Sequence, residues 1–577
     1  MKMKNILKSI LLGGAVLTAA ASCSVEPTYH SEVSPDTYYT SREAVLQRFY
    51  RPFTHARWTF AQMNGYFDLQ EFSADAFCSP VRGTKNTDRA EMYKLHYHEF
   101  IIDPIANGWS DLHQCYITRM QGVSRCWAAI SDLSEVDLDK FGFTEADWNN
   151  WRAQLSTMAA LYYLQLLDLF GGMPLYSENA YVENYRSSAE ETFYFIENLL
   201  TESLPNLEKK TVLGGTERGD VRQAMGAHVL MQLYFNAESY IGVPMYDKAA
   251  KLAEDIIGGV YGAYDLDSDW TQTFGFHNDV SKEIIWSIPS ERSQLETDGF
   301  YLWQYSMPNR MRFYFNGKNS GDEKGLPSSS ANNCWCLQPS LDGEGNPYTF
   351  KLGRPFAKFN DKDVRKRMYR YLGNGEYEGM FFFGELVNPD YPDCKVLGRE
   401  EYRNQVLNLV DQIARKSEGG TESSMETGEE NSGIRMVKYS PRPYLDEVGL
   451  LFNPDIPVLR LSEVYYTLAE CKFRSNDTQG CADLINHVRK RYFEDGVDPD
   501  PCTASMDKYR LLDEWLIEFL GESRRRTDLV RWGEFTTGEW WDHQPDGEGM
   551  EYKNIFPLNA DDVNATDKLP QNPGYTD

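Results

Sequence analysis

The chain has 577 residues, with 86 Asp and Glu against 58 Lys and Arg, a formal net charge of −28, and 36 Tyr, 30 Phe and 13 Trp. At roughly 100–200 residues per domain there is ample material for a large core, arranged as several domains or as one body built from repeats. An acidic balance of this size without a basic patch excludes general nucleic-acid binding. The apolar fraction of 41% is too high for a disordered acidic chain, which lacks the surface to offset its ordering entropy.

Lys2, Lys4 and Lys8 precede an apolar run from Ile10 to Ala21. This is the layout of a secretory signal peptide over residues 1–22, too short to span a bilayer. The run ends in Ala20-Ala21-Ser22-Cys23, which resembles a bacterial lipobox and makes Cys23 the expected lipidation site. Acyl chains there would tether an otherwise soluble body, and removal of the leader makes the remaining chain three charges more negative. Nine further cysteines, Cys78 to Cys502, are irregularly spaced and odd in number. They read as buried thiols rather than a disulfide framework or a zinc pattern.

Residues 23–269 form the expected N-terminal helical part. Apolar residues recur at three- and four-residue spacing over 109–133, 144–170, 189–204, 221–240 and 246–257. In the second stretch Leu155, Met158, Ala159, Tyr162, Leu166 and Leu169 make one stripe, and Tyr163, Leu164 and Leu167 widen it, so this helix is expected to be buried on much of its circumference. Gly171-Gly172 and Pro174 should stop it. Helices joined by short connections suggest a mainly α fold of tetratricopeptide-like pairs, without the strict 34-residue consensus.

Residues 270–457 change character. Residues 283–288 (EIIWSI) read as a short buried strand, after which Gly, Pro, Asn and aromatics dominate to about Gly384. Residues 416–433 (KSEGGTESSMETGEENSG) are nearly devoid of apolar groups and are expected to form a mobile surface loop. Helical periodicity returns over 458–474, 481–492 and 505–520 in the C-terminal part, 458–577, whose tail from 546 onward is irregular. The whole is expected to be one compact body.

The C-terminal runs RLSEVYYTLAE at 460–470, LINHVR at 484–489, EWLIEFLGE at 514–522, RRTDLVRWG at 525–533 and QNPGY at 571–575, with FGGMPL at 170–175 and residues 218–240, resemble the SusD/RagB family of surface lipoproteins. Ala159 stands where that family commonly has arginine, and Ser523 where it commonly has glycine. The resemblance implies helix pairs carrying a loop-rich region that holds the ligand, and a lipid-anchored protein on the outer face of a Gram-negative outer membrane. It further implies a glycan ligand and a TonB-dependent, SusC-like transporter barrel as partner, with no cofactor and no catalytic role.

Sugars offer apolar C–H faces edged by hydroxyls, so a glycan site wants flat rings with amide, carboxylate and guanidinium groups beside them. Alternation places Tyr301, Trp303 and Tyr305 on one side of an extended segment. Asn309, Arg310, Asn332, Asn333 and Trp335 follow. The segment 71–86 corresponds to a loop that approaches glycan in the family, which adds Asp75, Arg82 and Asn86. The contrary reading packs these rings into the fold and leaves the polar groups solvated, and Trp540-Trp541 is expected either to pack or to meet a partner. On a helix, Glu522 with Arg525 and Arg526, Arg524 with Asp528, and Asp528 with Arg531 would form a ladder of ion pairs.

Two alternatives stand beside glycan capture. A glycoside hydrolase needs two carboxylates roughly 5–9.5 Å apart, which the sequence neither excludes nor singles out; a peptide or glycoprotein nutrient is the other. His96 and His98 are metal-ligand types without a marked third partner, so no metal is expected. No nucleophile elbow, phosphate loop or dinucleotide fingerprint is present.

Overall fold

The computed structural model describes residues 38–61, 65–82, 90–103, 110–179, 183–215, 219–290, 305–315, 332–373, 375–439 and 454–575. The expected lipidation site Cys23 lies outside them. Nine helices of twelve residues or more occur among the described residues: α1 (Arg42–Ala56), α2 (Asp111–Ser134), α3 (Glu145–Phe170), α4 (Ala189–Ser203), α5 (Gln223–Phe235), α6 (Tyr246–Ile257), α7 (Leu461–Arg474), α8 (Thr478–Arg489) and α9 (Lys508–Phe519). None is long and apolar enough to cross a membrane.

Local chemistry sets the helix ends. Thr144 and Asp147 form a capping box at the start of α3, as Ser188 and Glu191 do for α4, each satisfying two otherwise orphan backbone donors. Helix α3 ends at Gly171, whose φ of +78° is left-handed. From Ala153 to Phe170 it is buried on nearly every side. It meets α2 closely because Gly122 leaves room for the Tyr162 ring, which a Cβ there would approach to 2.4 Å. The stretch 221–240 is broken at Asn236 into α5 and the short helix Ala237–Ile241.

The helices pack in sequence order, α1 on α2, α2 on α3, and so on to α5 on α6, and α7 on α8. Helix α6 also packs on α7, although residues 258–460 lie between them. The stack is therefore continuous in space and interrupted in sequence, and the loop-rich region leaves and re-enters between two neighbouring helices. The insertion is clamped at its base by antiparallel pairing of Ile284–Ile288 with Ile456–Arg460, in the register Ile288 with Ile456 and Trp286 with Leu459. Residues 458–460 thus belong to this ribbon rather than to a helix, which begins only at Leu461.

The base of the insertion carries a buried charge cluster. Arg460 reaches Glu283 at 3.0 Å, Glu518 at 2.8 Å and Glu522 at 2.7 Å. Arg491 pairs with Glu283 and, at 3.2 Å, with Glu518, while Arg365 reaches Glu518 at 3.1 Å. Burial alone would raise the Glu283 carboxyl, but Arg491 and Arg460 outweigh it and hold it at about 2. The expected ladder is present only in part. Arg524 and Arg531 do grip Asp528, at 2.9 and 2.7 Å, but Glu522 turns to Arg460 and Lys438, Arg525 to Asp75, and Arg526 to Asp168. Tertiary partners brought in by the insertion, by the segment 65–82 and by α3 displace the local ones.

The segment 416–433 is not a solvated loop throughout. Its first half is exposed, but residues 427–432 are buried. The acidic side chains lodge on polar groups rather than in water: Glu430 accepts from the backbone N–H of Arg399, Glu400 and Tyr402 at 2.7, 3.1 and 2.8 Å, and Glu429 from the Tyr402 hydroxyl at 2.7 Å and the Ser417 N–H at 2.8 Å. A lack of apolar residues therefore did not mean exposure, because buried carboxylates are tolerated when fully hydrogen-bonded.

Candidate functional site

Of the eight residues expected to touch ligand, Asn86, Tyr301 and Trp303 lie outside the described residues. Four others lie in the interior, away from the exposed platform position expected of them. Trp335 has no exposed surface and sits among Phe67, Phe72 and Phe77 with ring centroids 5.7, 5.9 and 5.4 Å away. The cause is the pairing of Phe77–Cys78 with Cys336–Leu337, which draws the residue before that strand inward. Asn333 donates to the Glu430 carbonyl at 3.0 Å and accepts from Arg435 at 2.7 Å. Asp75 is gripped by both arms of Arg525, at 2.6 and 2.9 Å, and accepts from the Gly353 N–H at 2.6 Å. Burial opposes its ionisation, but Arg525 prevails and holds the carboxyl below its ordinary value. Arg82 donates to the carbonyls of Glu429 and Ser432 and to Cys336 Sγ at 3.2 Å. Asp75, Arg82 and Asn333 are polar joints between distant segments. Trp540 and Trp541 are likewise buried.

Tyr305 is half-buried at the edge of the interior. Its carbonyl accepts from the N–H groups of Cys334 and Trp335 at 2.8 and 3.3 Å, which ties the segment 305–315 to 332–335. That segment leads to a surface recess of about 30 Å³, lined by Tyr314, Phe315, Tyr369, Arg370, Tyr371, Asn388, Pro389, Asp390 and Tyr391.

The floor of the recess is aromatic and rigid. Tyr314, Phe315 and Tyr369 are buried, Tyr314 and Phe382 are edge-on at 5.1 Å, and the Tyr314 hydroxyl donates to the Tyr369 carbonyl at 3.1 Å. Burial raises the Tyr314 phenol above its ordinary value. The rim is polar with exposed ring surface. Arg370 starts the strand Arg370–Gly373, which pairs antiparallel with Glu376–Glu378, and its guanidinium forks onto Asp390 with contacts of 2.9 and 2.6 Å. The hydrogen bond from Arg370 holds the Asp390 carboxyl below its ordinary value. Asn388 fixes the other wall: its amide donates to the Tyr314 carbonyl at 2.8 Å, and its oxygen accepts from the N–H groups of Asp390 and Tyr391 at 3.0 and 3.3 Å. Tyr391 is thereby presented with 44% of its surface open.

This places an accessible ring, a half-buried second ring at Tyr371, a guanidinium fork, a carboxylate and an amide around one concavity, the groups that complement an apolar face edged by hydroxyls. The ion-paired, ionised Asp390 is poorly suited to donate a proton. The sequence alone does not single out these residues. The available signal was the run Asn388-Pro389-Asp390-Tyr391-Pro392-Asp393, in which turn-forming residues flank a tyrosine and push it outward.

A larger cavity of about 140 Å³ lies between the helix stack and the base of the insertion, lined by Arg119, Asp168, Gln232, Arg460, Glu463 and Arg524 among others. Its acids are engaged: Asp168 with Arg526 and Tyr240, and Glu463 with Arg524 at 2.6 Å and Gln232 at 2.8 Å. Its polar lining joins the helix stack to the base of the insertion.

Comparison with known proteins adds an independent line. The model of the SusD family matches residues 282–575. The starch-binding protein SusD of Bacteroides thetaiotaomicron is 27% identical over 459 residues, covering 75% of this chain and 74% of that protein. A SusD-like protein of Formosa agariphila is 20% identical over 569 residues, covering 92% and 90%. Among solved structures, NanU of B. fragilis superposes with a TM-score of 0.65 at 17% identity, covering 96% of this chain and all of that one. Surface glycan-binding protein A of Bacteroides thetaiotaomicron, solved in complex with laminarihexaose, gives 0.60 at 16% identity, covering 92% and 100%. At these identities the structural likeness speaks for the fold.

Proposed function

The chain belongs to the SusD family, and from that premise we propose that it is a non-catalytic surface protein that captures a glycan in its inserted region, residues 270–457. The observation that carries this reading is the recess around Tyr391, where ring surface, the Arg370–Asp390 fork and Asn388 converge. It is supported by a relative named for starch binding and by a structural neighbour solved with a glucan hexaose. Tyr301, Trp303, Tyr305 and Asn86 stay in the proposal as further contacts, the first two carried on the chain just before Tyr305. The same reading assigns residues 1–22 to a cleaved leader, Cys23 to a lipid anchor on the outer membrane, and delivery of the glycan to a TonB-dependent, SusC-like transporter barrel.

The test is calorimetry of the protein against a panel of purified α- and β-glucans and host-type glycans, with chromatographic analysis of each mixture for cleavage. Saturable binding to at least one glycan without products is expected. Cleavage of the bound glycan, or no binding across the panel, overturns the reading. Cys23→Ala should shift the protein from the membrane to the soluble fraction, and a large barrel protein should co-purify with the unaltered chain from mild detergent.

A further inference from the structure

Residues far apart in sequence bring a second kind of chemistry together, at side chains that the recess around Tyr391 does not use. His98 follows the short helix Ala90–His96 with a left-handed φ of +52°, and its buried ring stacks on Phe535 at 4.2 Å. The His543 ring is 4.5 Å from it and stacks on Trp540 at 3.8 Å. One nitrogen of each imidazole and one carboxylate oxygen of Asp546 lie within 4.8 Å of one another.

The hydrogen bonds around this trio fix what each ligand atom offers. His98 Nε2–H donates to the Ser73 carbonyl at 2.8 Å, and His543 Nδ1–H donates to the His96 carbonyl at 2.8 Å. Each ring therefore spends one nitrogen on a backbone carbonyl, the arrangement that sets the tautomer and orientation of metal-binding histidines. What is left over is His98 Nδ1, 2.5 Å from Asp546 Oδ2, and His543 Nε2, which is buried and has no hydrogen-bond partner among the described residues. An orphan nitrogen of this kind carries a desolvation cost that a ligand would remove. Lys553 donates to Asp546 Oδ1 at 2.5 Å and steadies the carboxylate from behind.

We propose that His98 Nδ1, His543 Nε2 and Asp546 Oδ2 hold one divalent transition-metal ion of the zinc class. Two imidazoles and a carboxylate are a borderline-soft donor set that suits zinc, with water completing a tetrahedron. The present separation of His98 Nδ1 and Asp546 Oδ2 accommodates a proton. With metal–ligand bonds of about 2.0–2.2 Å, ion entry releases that proton to solvent and requires the carboxylate to swing by roughly 1 Å. The bound ion would pin residues 90–103 to the C-terminal stretch 540–553, two segments that otherwise meet through hydrogen bonds and ring stacking.

The test uses the full chain without a histidine tag, equilibrated with micromolar Zn²⁺ and then dialysed against metal-free buffer. Elemental analysis should find about one zinc per chain, and replacement by Co²⁺ should give the visible absorption of a tetrahedral nitrogen and oxygen site. By chelator competition, His543→Gln and Asp546→Asn should each weaken Zn²⁺ binding beyond the ~10–100-fold that follows loss of an outer hydrogen-bond partner, with unchanged far-ultraviolet dichroism. Because the Co²⁺ spectrum and zinc content are read on the unaltered chain, a variant that misfolds leaves the test intact. Absence of retained zinc and of Co²⁺ absorption overturns the proposal, as does Zn²⁺ binding of equal strength in folded His543→Gln.

Discussion

Arg460 and Arg370 both face acidic side chains, but the first is enclosed with Glu283, Glu518 and Glu522 at the base of the inserted region, whereas the second shares a water-exposed rim with Asp390. The same chemistry serves different ends because of solvent. Inside, removing one partner strands an uncompensated charge, so the cluster fixes how the insertion joins the helix stack. On the rim, water screens the pair, which leaves its hydrogen-bonding edges available to a ligand at little cost to the fold.

The comparison breaks most sharply at the base. Glu518→Gln should destabilise the protein by about 3–5 kcal/mol, since Arg460, Arg491 and Arg365 all converge on that carboxylate. Equilibrium unfolding in urea measures this, and a loss below about 1 kcal/mol would show that the cluster does not hold the junction. Trp335→Ala tests the buried ring in the same way. Its position among Phe67, Phe72 and Phe77 predicts a loss of about 3–5 kcal/mol, with the glycan affinity of the folded fraction unchanged.

A pH series sharpens the contrast without altering any residue. Glu283 and Glu470 are held at about 2 in the fold, where burial is outweighed by Arg491 and Arg460 for the first and by Arg531 for the second. Their stabilisation is present above the unfolded value of about 4.5 and is lost as pH falls toward 2. Burial pushes Glu71 the other way, up to about 8. Its contribution is complete below about 4.5 and disappears as pH rises through 8. Denaturation midpoints should therefore fall on both sides of a maximum near pH 5, and Glu71→Gln should flatten the alkaline limb alone.

Much of this architecture was legible in the residues. The stripe over 155–169, the stop at Gly171 and Gly172, and the strand at 284–288 depend on local periodicity and backbone preference, and the structure reproduces them. The site was much less legible. Trp335 looks like a platform beside Asn332 and Asn333 until strand pairing with Phe77–Cys78 places it inside. Asp75 and Arg82 look like solvated loop residues until Arg525 and the carbonyls of Glu429 and Ser432 appear opposite them, hundreds of positions away. Tyr391 carried the reverse ambiguity, since a lone tyrosine in a turn has no periodicity to mark it. Contacts of such sequence separation are set by the path of the insertion, and composition alone does not encode that path.

The recess itself yields smaller effects, and they should appear in binding rather than in stability. Tyr391→Ala removes the accessible ring at the rim of the recess, so glycan affinity should fall about tenfold, or about 1.4 kcal/mol, while the melting temperature stays within about 2 °C. A parallel loss of stability would move Tyr391 into the same structural class as Trp335.

Arg370→Lys is the finest cut. It keeps the positive charge beside Asp390 but replaces a planar fork, now making two contacts with one carboxylate, by a single ammonium point. If the rim serves only as a screened ion pair, both affinity and melting temperature should be indifferent to the change. If the fork orients Asp390 and shares its remaining donors with sugar hydroxyls, affinity should drop a few-fold at constant melting temperature, and added salt should not restore it. Titration of the glycan at two ionic strengths separates the outcomes, because screening weakens charge attraction but leaves directional hydrogen bonding largely in place.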